Sequence, residues 1–338
     1  MKRVARHLLR PARHPVAYPI IALLIILGLA ALPALAGPQR RPRIYEHGFR
    51  VDRVEGCGTL GVKRLIRNTN PDYIPHSVQD IKCSPGGSWG DNVYLLVTED
   101  IASGGWVDVE RVTFQGDSEL FTSTEPRATG LQLSIAPPGW SGGEILFANV
   151  GDMVSSLIYW IQPTGVHDAR TIPLLGTLPR LGPVAVDGSG DFGGELYYAS
   201  SGQIVRVDAS GMESLFATPP SVGAEMRFGP GGDWGTDLYT GGSVISRDGT
   251  VTPFPASFGE FDWVFGSAFN GDMFELLQGD PSTIDRIQPD GTRSRFARAG
   301  ASSQIAACNG ALWIAGPGEG CFVVTPRGGQ KNRKLVLR

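Results

Sequence analysis

Three glycine-rich strings in this 338-residue chain have residue types and spacings that could carry chemistry. "GSGDFG" at 188–193 matches G-x-G-x-x-G, whose glycines let a dinucleotide pyrophosphate approach a helix N-terminus. "GWSGG" at 139–143 matches G-x-S-x-G, in which Ser141 would be the nucleophile of a hydrolase. "DGSGDFGGE" at 187–195 spaces side-chain oxygens somewhat as a calcium loop does. Each chemistry depends on the elements that flank its string.

The first two motifs require a turn between a strand and a helix. The strand-like "ELYYA" follows "GSGDFG", so the helix N-terminus that binds a pyrophosphate is missing. A serine nucleophile also needs a histidine base, and beyond residue 36 the chain has only His47, His76 and His167. None of them lies in a repeated context. We therefore expect neither a dinucleotide site nor serine hydrolysis, and histidine-dependent lyase or lactonase chemistry is disfavoured by the same shortage.

The third string offers oxygen ligands at Asp187, Ser189, Asp191 and Glu195. It lacks the glycine at the sixth position and the acid at the twelfth position of a calcium loop. Aspartate and glycine are also the residues that form tight turns. The string is therefore interpreted as a turn, with calcium binding as the alternative.

The same kind of string recurs along the chain and reveals a repeat. "GPGGDWGTDLY" at 229–239 has related strings that are 35 to 52 residues apart. Each copy is preceded by one short apolar run and followed by two more, as in "IVRVDASG" and "ESLFA". Asp-Gly and Ser-Gly dipeptides between the runs are hairpin turns. In each copy one residue directly precedes the apolar pair that begins the next strand, as Asp237 precedes Leu238-Tyr239. These residues, which we call the turn position, are Asn92, Glu144, Glu195, Asp237, Asp272 and Ala311.

Four short strands per repeat, six times over, predict an all-β fold: a six-bladed β-propeller of four-stranded antiparallel blades. Residues 76–338 would form the propeller, and 37–75 an N-terminal extension that contributes to its closure. Either this extension or the C-terminal run completes the last blade. The innermost strands are expected near 77–83, 131–136, 182–187, 223–228, 261–266 and 303–307.

The glycine-rich strings then become turns from the innermost strand to the second strand of each blade. Their aromatic residues, Trp89, Phe192 and Trp234, are expected to fill space between blades, and Gly235 to adopt positive φ. Ser141 occupies the same place in its repeat.

The repeated position before each apolar pair is polar or acidic in five of the six repeats. In a propeller such a column forms a ring, which either hydrates the strand beginnings or holds a cation. Hydration is favoured because no second column of ligands accompanies it. The candidate metal ligands, with Ca²⁺ as the ion, are Asp187, Asp191, Glu144, Glu195, Asp237 and Asp272. No other cofactor is expected.

The turn–strand strings followed by "IVRVDASG"-type runs resemble six-bladed propellers of the TolB-like, NHL-repeat and gluconolactonase (senescence marker protein) group. The resemblance covers about residues 76–338 and implies the architecture. It leaves the function open, because the group includes lactonases, lyases, peptide-binding modules and assembly scaffolds. The longer "PGG" turns of this chain depart from the pattern of the group.

The first 36 residues indicate export. Five basic residues and no acid precede the apolar run Ile20–Leu32, and Ala34-Leu35-Ala36 is a signal-peptidase site. The alternative is an uncleaved anchor, because residues 16–36 are long enough to span a bilayer. A periplasmic or extracellular location follows, with membrane contact only through this segment. The remaining 25 basic and 33 acidic residues give a net charge of −8, which disfavours nucleic-acid binding.

The four cysteines lie in this exported part, where disulfides are favoured. A hairpin register places Cys308 and Cys321 at opposite ends of the last blade, too far apart for a bond. If all four pair, Cys57 or Cys83 must therefore bond to Cys308 or Cys321. Unpaired thiols are the alternative. Metal binding by these residues is not expected without a C-x-x-C spacing.

Two functions remain open. The first is a non-catalytic binding or scaffold module that recognises a protein, a peptide or a component of the cell envelope. The second, suggested by the resemblance to gluconolactonase, is a lactone hydrolase in which a divalent metal at the propeller axis activates water. That reaction needs about three or four oxygen or nitrogen ligands converging at the channel mouth.

Overall fold

The computed structural model describes residues 41–54, 77–84, 89–98, 107–113, 117–124, 129–135, 145–150, 156–165, 167–172, 181–208, 212–259, 262–279, 281–300, 304–315 and 321–327. Short apolar runs between turns form the strands. The first ten are β1 Arg43–Ile44, β2 Phe49–Val54, β3 Ser77–Cys83, β4 Val93–Thr98, β5 Val107–Val112, β6 Ser118–Thr124, β7 Thr129–Ile135, β8 Ile145–Val150, β9 Ser156–Ile161 and β10 His167–Ile172. The next eight are β11 Leu181–Val186, β12 Leu196–Ser200, β13 Gln203–Val207, β14 Glu213–Ala217, β15 Met226–Phe228, β16 Leu238–Thr240, β17 Ser243–Ile245 and β18 Val251–Pro253. The last seven are β19 Trp263–Phe265, β20 Met273–Leu277, β21 Thr283–Ile287, β22 Arg293–Arg298, β23 Gln304–Cys308, β24 Ala311–Ala315 and β25 Cys321–Pro326, and short 3-10 turns occur at Gly232–Trp234 and Ser267–Phe269.

These strands form antiparallel sheets of successive hairpins. In chain order the sheets are β3 to β6, β7 to β10, β11 to β14, β15 to β18, β19 to β22 with β1, and β23 to β25 with β2. All have four strands except the β19 sheet, to which β1 adds a fifth. Sheets packed face to face around an axis, each with its first strand innermost, make a β-propeller. The predicted all-β propeller of four-stranded antiparallel blades is therefore confirmed.

The N-terminal extension supplies the strand that completes the last blade. β2 pairs with β25 over six residues, from Phe49 opposite Pro326 to Val54 opposite Cys321. Its inward side chains Val51 and Val54 are buried. This pairing decides between the two closures that the sequence left open. The rest of the extension includes a second strand-like run, "GVKRLIR" at 61–67, which lies outside the described residues.

Two of the glycine-rich turns bury their aromatic residue against the next blade, as the sequence predicts, whereas Trp89 is buried against Tyr94 and Phe121 of its own sheet. Trp234 is 4% exposed, and its ring centroid lies 4.9 Å from that of Phe265 on the following inner strand, β19. Phe192 contacts Phe228 on β15 in the same way, with the centroids 4.9 Å apart. Gly235 has φ +64°, which is the left-handed conformation that favours glycine. The strings are scaffold turns.

The hydroxyl of a tyrosine closes each of these turns. Tyr239 donates to the carbonyl of Trp234 at 2.6 Å, and Tyr197 to that of Phe192 at 3.1 Å. Both tyrosines stand two residues after the polar column position, at the start of the second strand. The turn, its aromatic residue and the next strand therefore form one repeated unit.

The predicted export signal lies outside the described residues. Among the residues that are described, no helix has the length and apolar character needed to cross a bilayer.

Candidate functional site

The polar groups that converge on the propeller axis belong to the innermost strands. We call the inner position that lies opposite the fourth residue after the turn position the axial column, and the position two residues later the cavity column. Register fixes the alignment, because Asp80, Gln132 and Gln304 pair with Leu96, Ala148 and Ala315, each four residues after the turn position. The axial column is Asp80, Gln132, Pro183, Glu225, Asp262 and Gln304. The cavity column is Lys82, Ser134, Ala185, Arg227, Val264 and Ala306.

Five charged residues of these columns form a chain of alternating sign across the axis. The ammonium of Lys82 lies 2.8 Å from Asp80 Oδ1 and 3.5 Å from Glu225 Oε1. The guanidinium Nη2 of Arg227 lies 3.1 Å from Glu225 Oε2 and 3.5 Å from Asp262 Oδ1. The Lys82–Glu225 pair joins β3 to the start of β15, although two other sheets separate these strands in the chain. The network therefore bridges the channel.

The two outer carboxylates of this chain also hold neighbouring blades together. Asp80 Oδ2 accepts the backbone N–H of Leu133 on β7 at 2.7 Å. Asp262 Oδ2 accepts that of Ile305 on β23 at 2.6 Å. Each aspartate thus binds the inner strand of the next sheet. These bonds account for two acidic side chains that are only 1% and 5% exposed.

Burial sets the direction of the pKa shift of the two aspartates, Asp262 and Asp80. It raises the pKa of Asp262 to about 8, with a further contribution from the negative charge of Glu225. Burial also raises the pKa of Asp80, although Lys82 opposes it. For Arg227 burial acts to lower the pKa, but Glu225 and Asp262 outweigh it and the pKa is raised. Arg227 therefore remains a cation while Asp262 is protonated over part of the neutral range.

A cavity of about 670 Å³ opens directly above this network. All six cavity-column residues line it, and so does Glu225. The remaining wall is largely apolar, with Val184, Met226 and Phe265 among its residues. A concave, mostly apolar space with a few fixed polar groups is the usual form of a ligand site, and such sites measure roughly 300–1,000 Å³.

A disulfide lies at the wall of the cavity. Cys83 at the end of β3 is bonded to Cys308 at the end of β23, with the Cα atoms 5.1 Å apart and a sequence separation of 225. Cys321 is also disulfide-bonded, and Cys57 lies outside the described residues. The Cys83–Cys308 bond is one of the pairings that the register argument left open, and it rules out Cys308–Cys321. It joins the first inner strand to the last.

The candidate metal ligands of the 187–195 turn are placed differently from one another. Asp187 is buried, and its carboxylate accepts backbone N–H groups from Ser189, Gly190, Phe192 and Gly194 at 2.8–3.2 Å. It also accepts the hydroxyl of Ser189 at 2.7 Å. Burial opposes the charge of Asp187, but these hydrogen bonds outweigh it and lower its pKa. Asp191 is exposed on the same turn. Asp187 is thus engaged in holding the turn.

The other candidate ligands are separate from this turn cluster, and Glu195 and Asp272 have partners in their own blades. Glu195 lies 3.4 Å from Arg206 Nε, and Asp272 accepts Nε of Arg286 at 2.6 Å. Burial, together with the charge of Asp248, raises the pKa of Asp237. Glu144 lies outside the described residues. Among the described residues, no three His, Cys, Asp or Glu side chains are grouped for a metal ion, and calcium binding by these residues stays a prediction.

Sequence reasoning missed the axial and cavity columns, although the repeat contained the signal. Asp80, Gln132 and Glu225 each stand 12 residues before Asn92, Glu144 and Asp237. The same alignment that identified the turn column therefore aligns a second polar column. The alternation Asp-x-Lys and Glu-x-Arg in two inner strands points the charged pairs to one face of the sheet.

Comparison with known proteins gives only distant matches. No protein-family model and no curated protein sequence matches the chain. Among solved structures, virginiamycin B lyase from Staphylococcus aureus is 16% identical, with a TM-score of 0.46 over 82% of this chain and 99% of that one. A putative 6-phosphogluconolactonase from Bacteroides fragilis is 14% identical, with a TM-score of 0.43 over 70% and 76%. A nidogen/laminin complex is 10% identical, with a TM-score of 0.43 over 61% and 81%. With TM-scores below 0.5, none of these similarities supports a conclusion about this chain.

Proposed function

We propose that this protein is an exported, six-bladed β-propeller that binds a ligand in its axial cavity without catalysing a reaction. Six equivalent positions, one from each inner strand, line a single cavity. This observation supports the count of six blades, because only a closed ring of six blades brings these six positions to one space. It also supports ligand binding, because the space that they enclose is a cavity. The fifth strand β1 is then an addition to the outer edge of an ordinary blade.

The absence of catalysis is proposed from the way the polar groups are used. The three charged residues that line the cavity, Lys82, Arg227 and Glu225, are held in ion pairs with one another. Acid–base catalysis needs a group that can exchange a proton with the substrate. The pKa of Asp262, about 8, would suit that role, but Asp262 does not line the cavity and accepts the backbone N–H of Ile305 instead. A protein, a peptide or an envelope component is the proposed partner class.

The alternative, a metal-dependent lactone hydrolase, has one observation in its favour. Three carboxylates, those of Asp80, Glu225 and Asp262, belong to one chain of ion pairs near the axis, where such an enzyme would bind its metal. The residues present do not fit a divalent ion, however, because Lys82 and Arg227 already occupy the space between these carboxylates. Two side-chain cations take the place that a metal would need.

Export is supported by the disulfide that joins the first and last inner strands. Disulfides persist in oxidising compartments and are rare in the cytosol. Together with the basic and apolar N-terminal sequence, the Cys83–Cys308 bond favours a periplasmic or extracellular location. N-terminal sequencing of the exported protein will show whether it begins at Gly37 or retains the first 36 residues as an anchor.

Three measurements on one preparation of the protein distinguish non-catalytic binding from lactone hydrolysis. The exported protein is analysed for calcium and zinc with and without chelator, assayed for lactone hydrolysis, and examined by native mass spectrometry for bound molecules. We expect no stoichiometric metal and no hydrolysis. The matched variant is Ser134→Trp, which fills the cavity without altering a charge, and it should lose any molecule that the wild type retains. Tight stoichiometric metal together with chelator-sensitive hydrolysis would establish the alternative.

A further inference from the structure

The charges that face the cavity are unequal. Lys82 and Arg227 line it, and Glu225 is the one carboxylate among the described lining residues. Asp80 and Asp262 point instead to the backbone of the next blades, where each accepts an N–H group. A ligand in the cavity therefore meets two cations and one anion.

The two cations keep hydrogen-bonding capacity that the network does not use. An ammonium has three N–H donors, and the structure gives Lys82 two carboxylate neighbours, at 2.8 and 3.5 Å. A guanidinium has five donors, and both ion pairs of Arg227 use Nη2. Its Nε is buried with no hydrogen-bond partner among the described residues. Unfilled donors on buried cations are stabilised by an added acceptor.

Glu225 does not offer the same opportunity to a cationic ligand. One of its oxygens faces Lys82 and the other faces Arg227. A ligand cation would have to displace one of these partners, which are fixed in the protein. The cavity is thus already supplied with positive charge.

The apolar wall of the cavity indicates what kind of molecule bears the anionic group. Val184, Met226 and Phe265 line the cavity. Arg227 lies over the ring of Trp263, with the guanidinium carbon Cζ 5.7 Å from the ring centroid. This stacking fixes the plane of the guanidinium. An apolar body would bury against the wall while its charged end reaches the floor.

We propose that the axial cavity is a site for an organic anion, a carboxylate or sulfonate attached to an apolar body, whose charged group is bound by Lys82 and Arg227. This inference rests on the proposed binding function and names the ligand class of that site. Glu225 competes with the ligand for both cations. It therefore weakens anion binding while stabilising the empty site.

Two fluorescent probes with the same aromatic skeleton test the proposal. One is the anion 1-anilinonaphthalene-8-sulfonate, and the other is the uncharged N-phenyl-1-naphthylamine. Arg227→Gln should weaken binding of the anion about tenfold, and Glu225→Gln should strengthen it several-fold, because each changes one charged hydrogen-bonding group at the site. Binding of the uncharged probe should change less than twofold in both variants. General damage to the fold would weaken binding in both, so the opposite signs are the signature of the site.

The controls separate failure of this inference from failure of the proposed function. Arg247→Gln makes the same change in net charge at an exposed position and should have no effect. Thermal melts establish that each variant is folded, and Lys82→Gln replaces Arg227→Gln if the latter is not. If Ser134→Trp abolishes binding of both probes but the charge variants change neither, the cavity binds ligands and the anion proposal is overturned. If the wild type binds neither probe, the anion proposal is overturned, whereas the binding function is judged by the native mass spectrometry of the wild type and Ser134→Trp.

Discussion

The turn column and the axial column are repeated polar positions in the same six repeats, yet they behave in opposite ways. Glu195 and Asp272 of the turn column pair with Arg206 and Arg286 of their own blades. In the axial column, by contrast, Glu225 contacts cations from two different sheets. The recurrence of a polar position in every repeat therefore does not by itself identify a binding site in a propeller.

Distance from the axis explains the contrast. Equivalent residues of a ring of blades come together only where the blades meet, at their first strands. The turn column lies at the start of the second strand, one strand further out, where neighbouring copies are separated by packed aromatic residues such as Trp234 and Phe192. A repeated acid there is available to its own blade alone.

The contrast predicts that the largest loss of stability follows removal of an aromatic residue from a turn. Trp234→Ala removes a 4%-exposed ring that packs on Tyr239, Phe254 and Phe265 in two blades. We expect the free energy of unfolding to fall by about 3–5 kcal/mol, the usual range for a buried aromatic residue. Urea denaturation measures it, and the transition should remain cooperative because both blades lose packing.

The matched control is Met212→Ala, which truncates a side chain that is 68% exposed. It should leave the unfolding free energy within about 0.5 kcal/mol of the wild type. If Trp234→Ala unfolds like this control but loses a ligand, the turn is a binding loop and the assignment of the two columns must be reversed.

The sequence predicts the architecture well because its signals are local. Turn glycines, alternating apolar runs and the aromatic position of each turn all act within one repeat, and the strands β3, β11 and β23 begin within one residue of their predicted starts. The site is harder to predict because its partners are distant. Lys82 and Glu225 are 143 positions apart, and only the curvature of the ring brings them to 3.5 Å.

The choice of the closing strand was undetermined for a related reason. Both chain ends contain short apolar runs, and either could pair with the same edge of β25. Tertiary packing decides between them, because Val51 and Val54 of β2 enter the cores on the two sides of the last blade.

A smaller effect is expected from the acid that holds a turn. Asp187→Ala removes the acceptor of four backbone N–H groups and one hydroxyl, some of which water can reach after the change. We expect a loss of about 2–3 kcal/mol, because buried donors are left partly unsatisfied. Asp191→Ala, an exposed neighbour on the same turn, should cost almost nothing. Equal losses from both substitutions, or a loss that appears only when calcium is present, would instead indicate a metal loop.

At the axis, the effect of one substitution should depend on pH. The pKa of Asp262 is 3.8 in its ordinary state and about 8 in the fold, so the folded protein holds a proton that the unfolded chain releases over this range. Stability contributed by this group is therefore lost as the pH rises from about 4 to 8. Asp262→Asn keeps an acceptor for Ile305 but cannot titrate.

Urea denaturation of both proteins between pH 5 and pH 8 tests this expectation. The wild type should exceed Asp262→Asn in stability by the largest margin at pH 5, and the margin should shrink towards pH 8. A margin that grows with pH would mean that ionised Asp262 is the form that the fold favours, with Arg227 as its partner.

The smallest effect is expected from Glu195→Gln, and it completes the contrast because the same chemical change is made at Glu225. The carboxylate of Glu195 is 19% exposed and lies 3.4 Å from Arg206, whose side chain is 44% exposed. Exposed ion pairs contribute about 0–1 kcal/mol, and the glutamine still accepts the hydroxyl of Tyr197. Glu195→Gln should therefore change the unfolding free energy by less than about 1 kcal/mol and leave binding of the anionic probe unaltered. Glu225→Gln should tighten binding of that probe. Should Glu195→Gln shift probe binding as strongly as Glu225→Gln does, the turn column would also contact the ligand, and distance from the axis would not separate scaffold from site.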